Sequence, residues 1–269
     1  MDRRDLGKFV GLGLIGGAAL AAPQVAQAQQ AQRSRLAQIL ERGSLRIGTT
    51  GDFNPMSFRN TGSNEYQGFD IDAMKQLAAD MGIRVEWVAT EWAQLVAGIA
   101  ANRFDIFSGA SVSVARARTA AFSVPYYEAG TVPLSLKSAA SRFTTWDSIN
   151  ADGVRVAVSM GTVFEDQARA HFPRAQIRSV QAPATGFQEV LAGRADITIT
   201  SNVEASTLVR RFDQLTLLGA NVQPRNKRPF AYVVSQDDFT WLNFVNTWVT
   251  FKKIEGYFDA LEARWLPRS

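Results

Sequence analysis

The sequence predicts an α/β protein of two lobes, in which each lobe is a mostly parallel sheet flanked by helices. Apolar strands alternate with amphipathic helices, the alternation begins again near residue 154, and two long extended apolar segments accompany the second series. Hydrophobic residues make up 46% of the 269 residues, so the chain can bury a substantial core. These features predict two similar lobes that are joined by two crossover strands.

The first series follows β-α-β order. Residues 33–42 (RSRLAQILER) predict a short amphipathic helix, and SLRIGTTGDF predicts a strand that enters a turn. Apolar spacing in 69–81 predicts a helix, and the strand IRVEWVAT follows it. A helix from Trp92 to Ala101 then leads into the strand FDIFSG. Strands that alternate with helices in this way favour a parallel sheet with helices on its faces.

The second series repeats the pattern with VRVAVSM (strand), VFEDQARAHF (helix), QIRSV (strand), GFQEVLAG (helix) and ADITIT (strand). Two strings, QLVAGIAANRFDI and QEVLAGRADI, share the order helix, small-residue turn, Asp and buried strand. This internal echo is consistent with two lobes of similar build, although β-α-β units are common enough to arise independently.

Two extended apolar segments predict the crossover strands: YYEAGTVPLSLKS and RPFAYVVSQDD. The chain would leave the first lobe, build the second, and return to finish the first with helices. The predicted boundaries are 29–129 with 227–269 for lobe I, and 130–226 for lobe II. Aromatic residues at helical spacing in the last segment predict core positions: Trp241, Trp248, Phe251, Tyr257 and Trp265.

The first 28 residues predict an export signal. Arg3 and Arg4 precede an apolar stretch from Phe9 to Ala22, and Ala26-Gln27-Ala28 forms a small-residue cleavage site. The mature protein is therefore expected in the periplasm. The string RRDLGKF resembles a twin-arginine motif, with ordinary secretion as the alternative route.

Composition excludes several function classes. Net charge is +4, from 29 basic and 25 acidic residues, and no dense basic run with interleaved aromatics is present, so nucleic acid is not expected as a partner. Without cysteine the chain can form neither disulfides nor thiolate metal sites. The single histidine, His171, lies in a polar context and is expected at the surface, so neither a metal nor another cofactor is predicted.

One arginine is placed to bind a carboxylate. Arg116 follows an apolar strand and a run of small residues from Ser108 to Ser111, which would let a ligand approach the backbone closely. A guanidinium presents parallel donors that match the two oxygens of a carboxylate. The competing interpretation is an arginine on a solvated helix.

The chain resembles the periplasmic solute-binding proteins of polar amino-acid uptake systems (solute-binding protein family 3) over residues 35–266. The motifs GFDIDAMKQLA, GASVSVARARTAAFSVPYY, MGTVFE and LAGRADITIT carry the resemblance by their order and spacing. It implies the type II periplasmic-binding-protein fold, a monomer that closes on its ligand, and a membrane permease of an ABC transporter as partner. The implied ligand is an amino acid or another small organic carboxylate.

The resemblance also implies roles for individual residues. Arg116 would pair with the ligand carboxylate, with help from Ser111 and from Thr162, which could instead cap a helix. Phe53 and Trp92 would hold the ligand's apolar body between their rings.

One departure bears on the ligand. Amino-acid binders of the family usually carry an Asp for the ligand ammonium where this chain has Ser201. Burying an ammonium without that charge is costly. Either the ligand lacks an α-amine, or Asp52 or Glu204 replaces the missing acid.

A branch of the same family, the cyclohexadienyl dehydratases, resembles this chain at TTGDFNPMSFR, EWAQL, ANRFDI, SVPYYEAGTVPL and Glu204. The matching glutamate in those enzymes is the general acid, a role that requires a buried, protonated carboxyl. Against that role, the enzymes carry Lys, Asn and Asp where this chain has Thr131, Ser159 and Ser201. Glu204 could also be a first-turn helix acid. We expect a non-catalytic receptor, with a prephenate or arogenate dehydratase as the alternative.

Overall fold

The computed structural model describes residues 34–218 and 223–266. The predicted signal peptide, residues 1–28, lies outside these ranges. Within them, no helix is long and apolar enough to span a membrane.

A mixed sheet is the centre of the described structure. Its strand order is β10-β9-β11-β8-β13-β6-β1-β5, with β12 paired to β8 and β7 paired to β13. A small separate sheet contains β2, β3 and β4. The strands are β1 (Ser44–Thr49), β2 (Asp52–Phe53), β3 (Ser57–Arg59), β4 (Tyr66–Gln67), β5 (Arg84–Ala89), β6 (Ile106–Ser111), β7 (Ala121–Phe122), β8 (Tyr127–Leu136), β9 (Arg155–Ser159), β10 (Gln176–Val180), β11 (Ile197–Ser201), β12 (Leu215–Leu217) and β13 (Arg225–Val234).

Two parallel sets of strands make up the ends of this sheet. In the first parallel set, β1 pairs with β5 and β6, and in the second, β9 pairs with β10 and β11. Between the sets lie β8 and β13, which pair antiparallel to each other and to their outer neighbours β11 and β6. The predicted fold class, two mostly parallel sheets joined by two crossover strands, is confirmed. The residue boundaries assigned to the lobes stay predictions.

The helices cover the sheet as the apolar spacing predicts. Ser34 caps the first helix by accepting from the backbone N–H of Ala37 at 3.2 Å, and Asp238 caps the long helix near the C-terminus by accepting from the N–H of Trp241 at 2.9 Å. The helices are α1 (Arg35–Arg42), α2 (Phe69–Asp80), α3 (Leu95–Ala100), α4 (Val114–Ala117), α5 (Val163–His171), α6 (Gly186–Leu191), α7 (Asn202–Arg211), α8 (Phe239–Ile254) and α9 (Tyr257–Trp265).

Three details differ from the sequence predictions. The helix predicted from Trp92 begins as a 3-10 turn, Trp92–Gln94, before α3. Strands of two or three residues such as β2 and β7 were not predicted, because so few residues show no alternation. Phe251 was expected in the core but is 59% exposed, whereas Trp241 and Trp248 are buried. Helical spacing alone does not decide which of several aromatic residues faces the sheet.

The internal echo has a structural counterpart in two aspartates. Asp105 precedes β6 and accepts from the backbone N–H of Arg46 at 2.9 Å, while Asp196 precedes β11 and accepts from that of Arg155 at 2.9 Å. Each arginine also donates its guanidinium to the same carboxylate. In both parallel sets, the central strand is therefore tied in the same way to its neighbour, at the point where that neighbour begins.

Candidate functional site

A cavity of about 40 Å³ lies at the carboxyl ends of both parallel sets, where open α/β sheets place their ligands. Its walls come from the turn after β1, the end of β6, the start of α5, and the junction of β11 with α7. Eight residues predicted from the sequence line this inner cavity: Asp52, Phe53, Trp92, Ser111, Arg116, Ser159, Thr162 and Glu204.

Arg116 connects the two sides of the inner cavity. One Nη donates to the carbonyl oxygen of Ser111 at 3.0 Å, and the other donates to the carbonyl oxygen of Gly161 at 3.1 Å. No ion pair joins its guanidinium to a carboxylate in the described part of the chain. Burial lowers the pKa of Arg116 to about 10, against the smaller opposing effect of the Asp166 charge. A buried cation without a directly paired counter-ion is a site that an anion would stabilise.

Gly161 brings the second parallel set into close contact with the first at this point. Its backbone has a φ of +75°, and a side-chain carbon there would overlap the backbone nitrogen of Ala93. Nearby, Gln181 donates to the carboxylate of Glu91 at 3.1 Å. These contacts hold the two sides of the cavity together around Arg116.

Thr162 takes the helix-cap geometry. Its hydroxyl accepts from the N–H of Glu165 at 3.3 Å and donates to the carbonyl oxygen of Ser159 at 2.7 Å. Thr162 therefore lines the cavity with its hydroxyl hydrogen already donated to the protein. Ser111 lies at the end of β6, and its carbonyl oxygen accepts from Arg116. Direct binding of a ligand by either residue stays a prediction.

The aromatic walls differ from the expected sandwich. Phe53 and Trp92 contact each other edge to face, with ring centroids 5.9 Å apart and an interplanar angle of 83°, which leaves no slot for a flat group. Phe53 also packs against Phe230 at 5.9 Å. Trp92 packs against Phe107 at 5.6 Å and donates from Nε1 to Asp52 at 2.9 Å. These neighbours orient the two rings as adjoining walls.

Two carboxyl groups face the cavity. Glu204 lies on the first turn of α7, where desolvation of its carboxyl, together with the charge of Asp52, raises its pKa to about 8, although the carboxyl accepts from the Thr200 hydroxyl. Desolvation likewise raises the pKa of Asp52, and the hydrogen bond from the Trp92 N–H opposes the effect. A carboxyl with this pKa keeps its proton at neutral pH, and a protonated carboxyl can donate a hydrogen bond as well as accept one.

Two predicted residues, Thr131 and Ser201, do not line the inner cavity. They are paired on β8 and β11 and line a second cavity of about 10 Å³. The Ser201 hydroxyl caps α7 by accepting from the N–H of Glu204 at 3.1 Å. The second cavity adjoins the inner one, because Ser111, Val163 and Phe164 line both.

Sequence reasoning missed Arg228, which also lines the second cavity. Its Nη1 donates to the carbonyl oxygen of Val112 at 3.2 Å, and its buried Nε has no hydrogen-bond partner among the residues that the structure describes. The available signal was an arginine at the start of the apolar crossover segment RPFAYVV.

A wide outer cleft of about 1050 Å³ adjoins the inner cavity on the opposite side. Asp52, Thr185, Phe187, Glu204 and Leu208 line both spaces. The two carboxyl groups therefore lie where the inner cavity meets the cleft.

Comparison with known proteins agrees with this architecture. The family model of bacterial extracellular solute-binding proteins, family 3, matches residues 45–268. The cyclohexadienyl dehydratase of Pseudomonas aeruginosa is 36% identical over 238 residues, covering 88% of each chain. The L-cystine-binding protein TcyJ of Escherichia coli is 25% identical over 236 residues, covering 87% of each chain.

Among solved structures, the ancestral amino-acid-binding protein AncCDT-1, a precursor of cyclohexadienyl dehydratase, aligns with a TM-score of 0.80 at 33% identity. The alignment covers 86% of this chain and 99% of the ancestral protein. A variant of an ancestral cyclohexadienyl dehydratase, AncCDT-3, is 38% identical with a TM-score of 0.54, covering 90% of this chain and all of that one.

Proposed function

The chain belongs to the bacterial extracellular solute-binding proteins of family 3, and we propose that it is a periplasmic receptor for a small organic carboxylate. Arg116 carries the proposal, because its partly buried guanidinium has carbonyl partners on both sides of the inner cavity and no carboxylate bound to it among the described residues. A ligand carboxylate would supply the missing charge in a bidentate arrangement.

The ligand's other groups would then reach the rest of the site. The inner cavity has room for about three water molecules, so the carboxylate occupies it and the body extends toward the outer cleft. Phe53 and Trp92 provide apolar walls at the inner end of that path. Asp52, Glu204 and Ser159 select the ligand's polar groups.

Closure of two lobes would couple binding to transport. Lobe I comprises residues 29–129 and 227–269, lobe II comprises 130–226, and the crossover strands β8 and β13 act as the hinge. The receptor acts as a monomer, reaches the periplasm by its signal peptide, and delivers the ligand to an ABC-type permease that recognises the closed form. Amino-acid binding by relatives such as TcyJ supports this class of ligand.

The experiment is a thermal-shift and calorimetric screen of the purified protein against amino acids, keto acids and aromatic acids. Ligand should raise the melting temperature of the parent, and Arg116→Ala should abolish the shift. Arg118→Ala is the matched control, because Arg118 lies two residues away and is exposed. Equal binding by the Arg116→Ala variant would refute the site.

A second function is favoured by one feature, the desolvated carboxyl of Glu204 at the cavity, whose pKa burial and the charge of Asp52 raise to about 8. A prephenate dehydratase needs such a group to protonate the departing hydroxyl, as the ring loses carbon dioxide and water to form phenylpyruvate. Thr131, Ser159 and Ser201 weigh against this function, since the polar anchors that dehydratases carry are absent. Formation of phenylpyruvate from prephenate that Glu204→Gln abolishes would establish the enzyme instead of the receptor.

A further inference from the structure

The second cavity has the volume and the polar lining to hold one small polar group. It lies where β8 and β13 meet β6 and β11, and its polar lining includes Thr131, Ser201 and Arg228. A volume of about 10 Å³ corresponds to one water-sized group. A second carboxylate, with two oxygens and a carbon, exceeds this volume.

Arg228 lines this cavity and carries a donor without an acceptor in the described part of the chain. The Nε of Arg228 is buried and has no hydrogen-bond partner, and no ion pair joins its guanidinium to a carboxylate within residues 34–218 and 223–266. Leaving a buried donor unpaired costs about 1–3 kcal/mol, and more for a charged group. An oxygen atom in the cavity would remove that cost.

The cavity is adjacent to the proposed carboxylate site. Ser111 lines both cavities, and its carbonyl oxygen accepts from Arg116. Arg116 donates to this oxygen at 3.0 Å and Arg228 donates to the carbonyl oxygen of the next residue, Val112, at 3.2 Å, so the two guanidinium groups are close. A substituent on the carbon next to the ligand carboxylate would therefore reach the second cavity.

We infer that this subsite selects carboxylates whose neighbouring carbon carries a keto or hydroxyl oxygen, and that it excludes α-amino acids. The inference rests on the proposed carboxylate receptor and names its ligand class. Arg228 would donate from Nε to the ligand oxygen. An ammonium in the same place would meet the like charge of Arg228, and the residue at the end of β11, Ser201, carries no charge to compensate.

The experiment compares ligands that differ in one substituent, by calorimetry on the purified protein. Phenylpyruvate, phenyllactate, phenylalanine and 3-phenylpropanoate share one body and carry a keto oxygen, a hydroxyl, an ammonium or no group on the critical carbon. Phenylpyruvate or phenyllactate should bind at least tenfold more tightly than phenylalanine. The same comparison with 4-methyl-2-oxopentanoate and leucine tests an aliphatic body.

Variants assign the preference to the cavity. Arg228→Gln should weaken binding of the keto acid about tenfold, as for loss of a charged hydrogen bond, and leave 3-phenylpropanoate unchanged. Lys227→Gln, at the neighbouring exposed cation, should change the affinity neither for the keto acid nor for 3-phenylpropanoate. Arg228→Lys keeps the charge but lacks Nε, and provides a second variant if the glutamine variant fails to fold.

The outcomes separate this inference from the receptor. Tighter binding of phenylalanine than of phenylpyruvate would overturn the proposed subsite. Equal effects of Arg228→Gln and Lys227→Gln on keto-acid binding would also overturn it. The second cavity would then hold only water. The receptor itself would still stand if 3-phenylpropanoate binding required Arg116. Loss of the Arg116 requirement would overturn the receptor.

Discussion

Arg116 donates to the carbonyl oxygen of Gly161 at 3.1 Å, which joins the segment after β6 to the turn before α5. The contact depends on a glycine, because the positive φ of +75° and the proximity of Ala93 both exclude a side chain. The residue that we propose as the carboxylate partner thus also connects the two sides of the cavity. Ligand binding and closure would share one guanidinium.

Gly161→Ala should weaken ligand binding while the protein stays folded. A methyl group at residue 161 would overlap the Ala93 backbone and force the two sides of the cavity apart. We expect at least a tenfold increase in Kd by calorimetry, since a loss of about 1.4 kcal/mol in closure has that effect. Gly153→Ala is the control, because Gly153 has a φ of +80° with nothing within 4 Å of an added carbon. If both variants bind the ligand with the same Kd, the close contact between Gly161 and Ala93 has no role in closure.

Glu204 should make the protein less stable as the pH rises. Its folded pKa of about 8 lies above the ordinary value of 4.5, so between those values the folded state holds a proton that the unfolded state has released. The free energy of unfolding should fall by up to about 1.4 kcal/mol per pH unit from this group. Denaturant titrations from pH 5 to pH 8 should show the slope reduced in Glu204→Gln. The same slope in Glu204→Gln and in the exposed-site control Glu128→Gln would contradict the prediction.

Tyr126→Phe should destabilise the core beneath β6. The Tyr126 hydroxyl donates to the Asp70 carboxyl at 2.6 Å, and both side chains are buried beside Gly109. Burial also raises the pKa of Asp70 well above its usual range. Removing the hydroxyl should cost about 1–3 kcal/mol by urea titration. Tyr127→Phe, at the adjacent half-buried tyrosine, should lower the free energy of unfolding by less. A larger loss for Tyr127→Phe than for Tyr126→Phe would contradict the stabilising role of the Tyr126 hydroxyl.

Asp105→Ala should destabilise the protein more than Asp196→Ala. The side chain of Asp105 is fully buried among Arg35, Arg42 and Arg46, whereas that of Asp196 is 10% exposed and its partner Arg155 is 42% exposed. Breaking a buried ion pair costs about 3–5 kcal/mol, and a solvated one costs less. Urea titration of both variants at pH 7 measures the difference. A larger loss in the free energy of unfolding for Asp196→Ala than for Asp105→Ala would contradict the prediction.

The alternation of strands and helices predicted the two parallel sets and the crossover strands β8 and β13, because apolar periodicity reflects which face of each element is buried. The resemblance to the family implied that Arg116, Trp92 and Glu204 belong to one site, and all three line the inner cavity. It did not predict that the Phe53 and Trp92 rings meet edge to face, because Phe230 and Phe107 orient them from distant parts of the chain.

By itself, the sequence determined the α/β class, the family, and the identity of most residues at the inner cavity, because these depend on local patterns and on motif order. The tertiary structure alone decided which polar groups already have partners within the protein. It directs the Arg116 guanidinium to the carbonyl oxygen of Gly161, desolvates the Glu204 carboxyl, and leaves the Arg228 Nε without an acceptor among the described residues. Burial and hydrogen bonding arise between residues far apart in the chain, so no local pattern contains them.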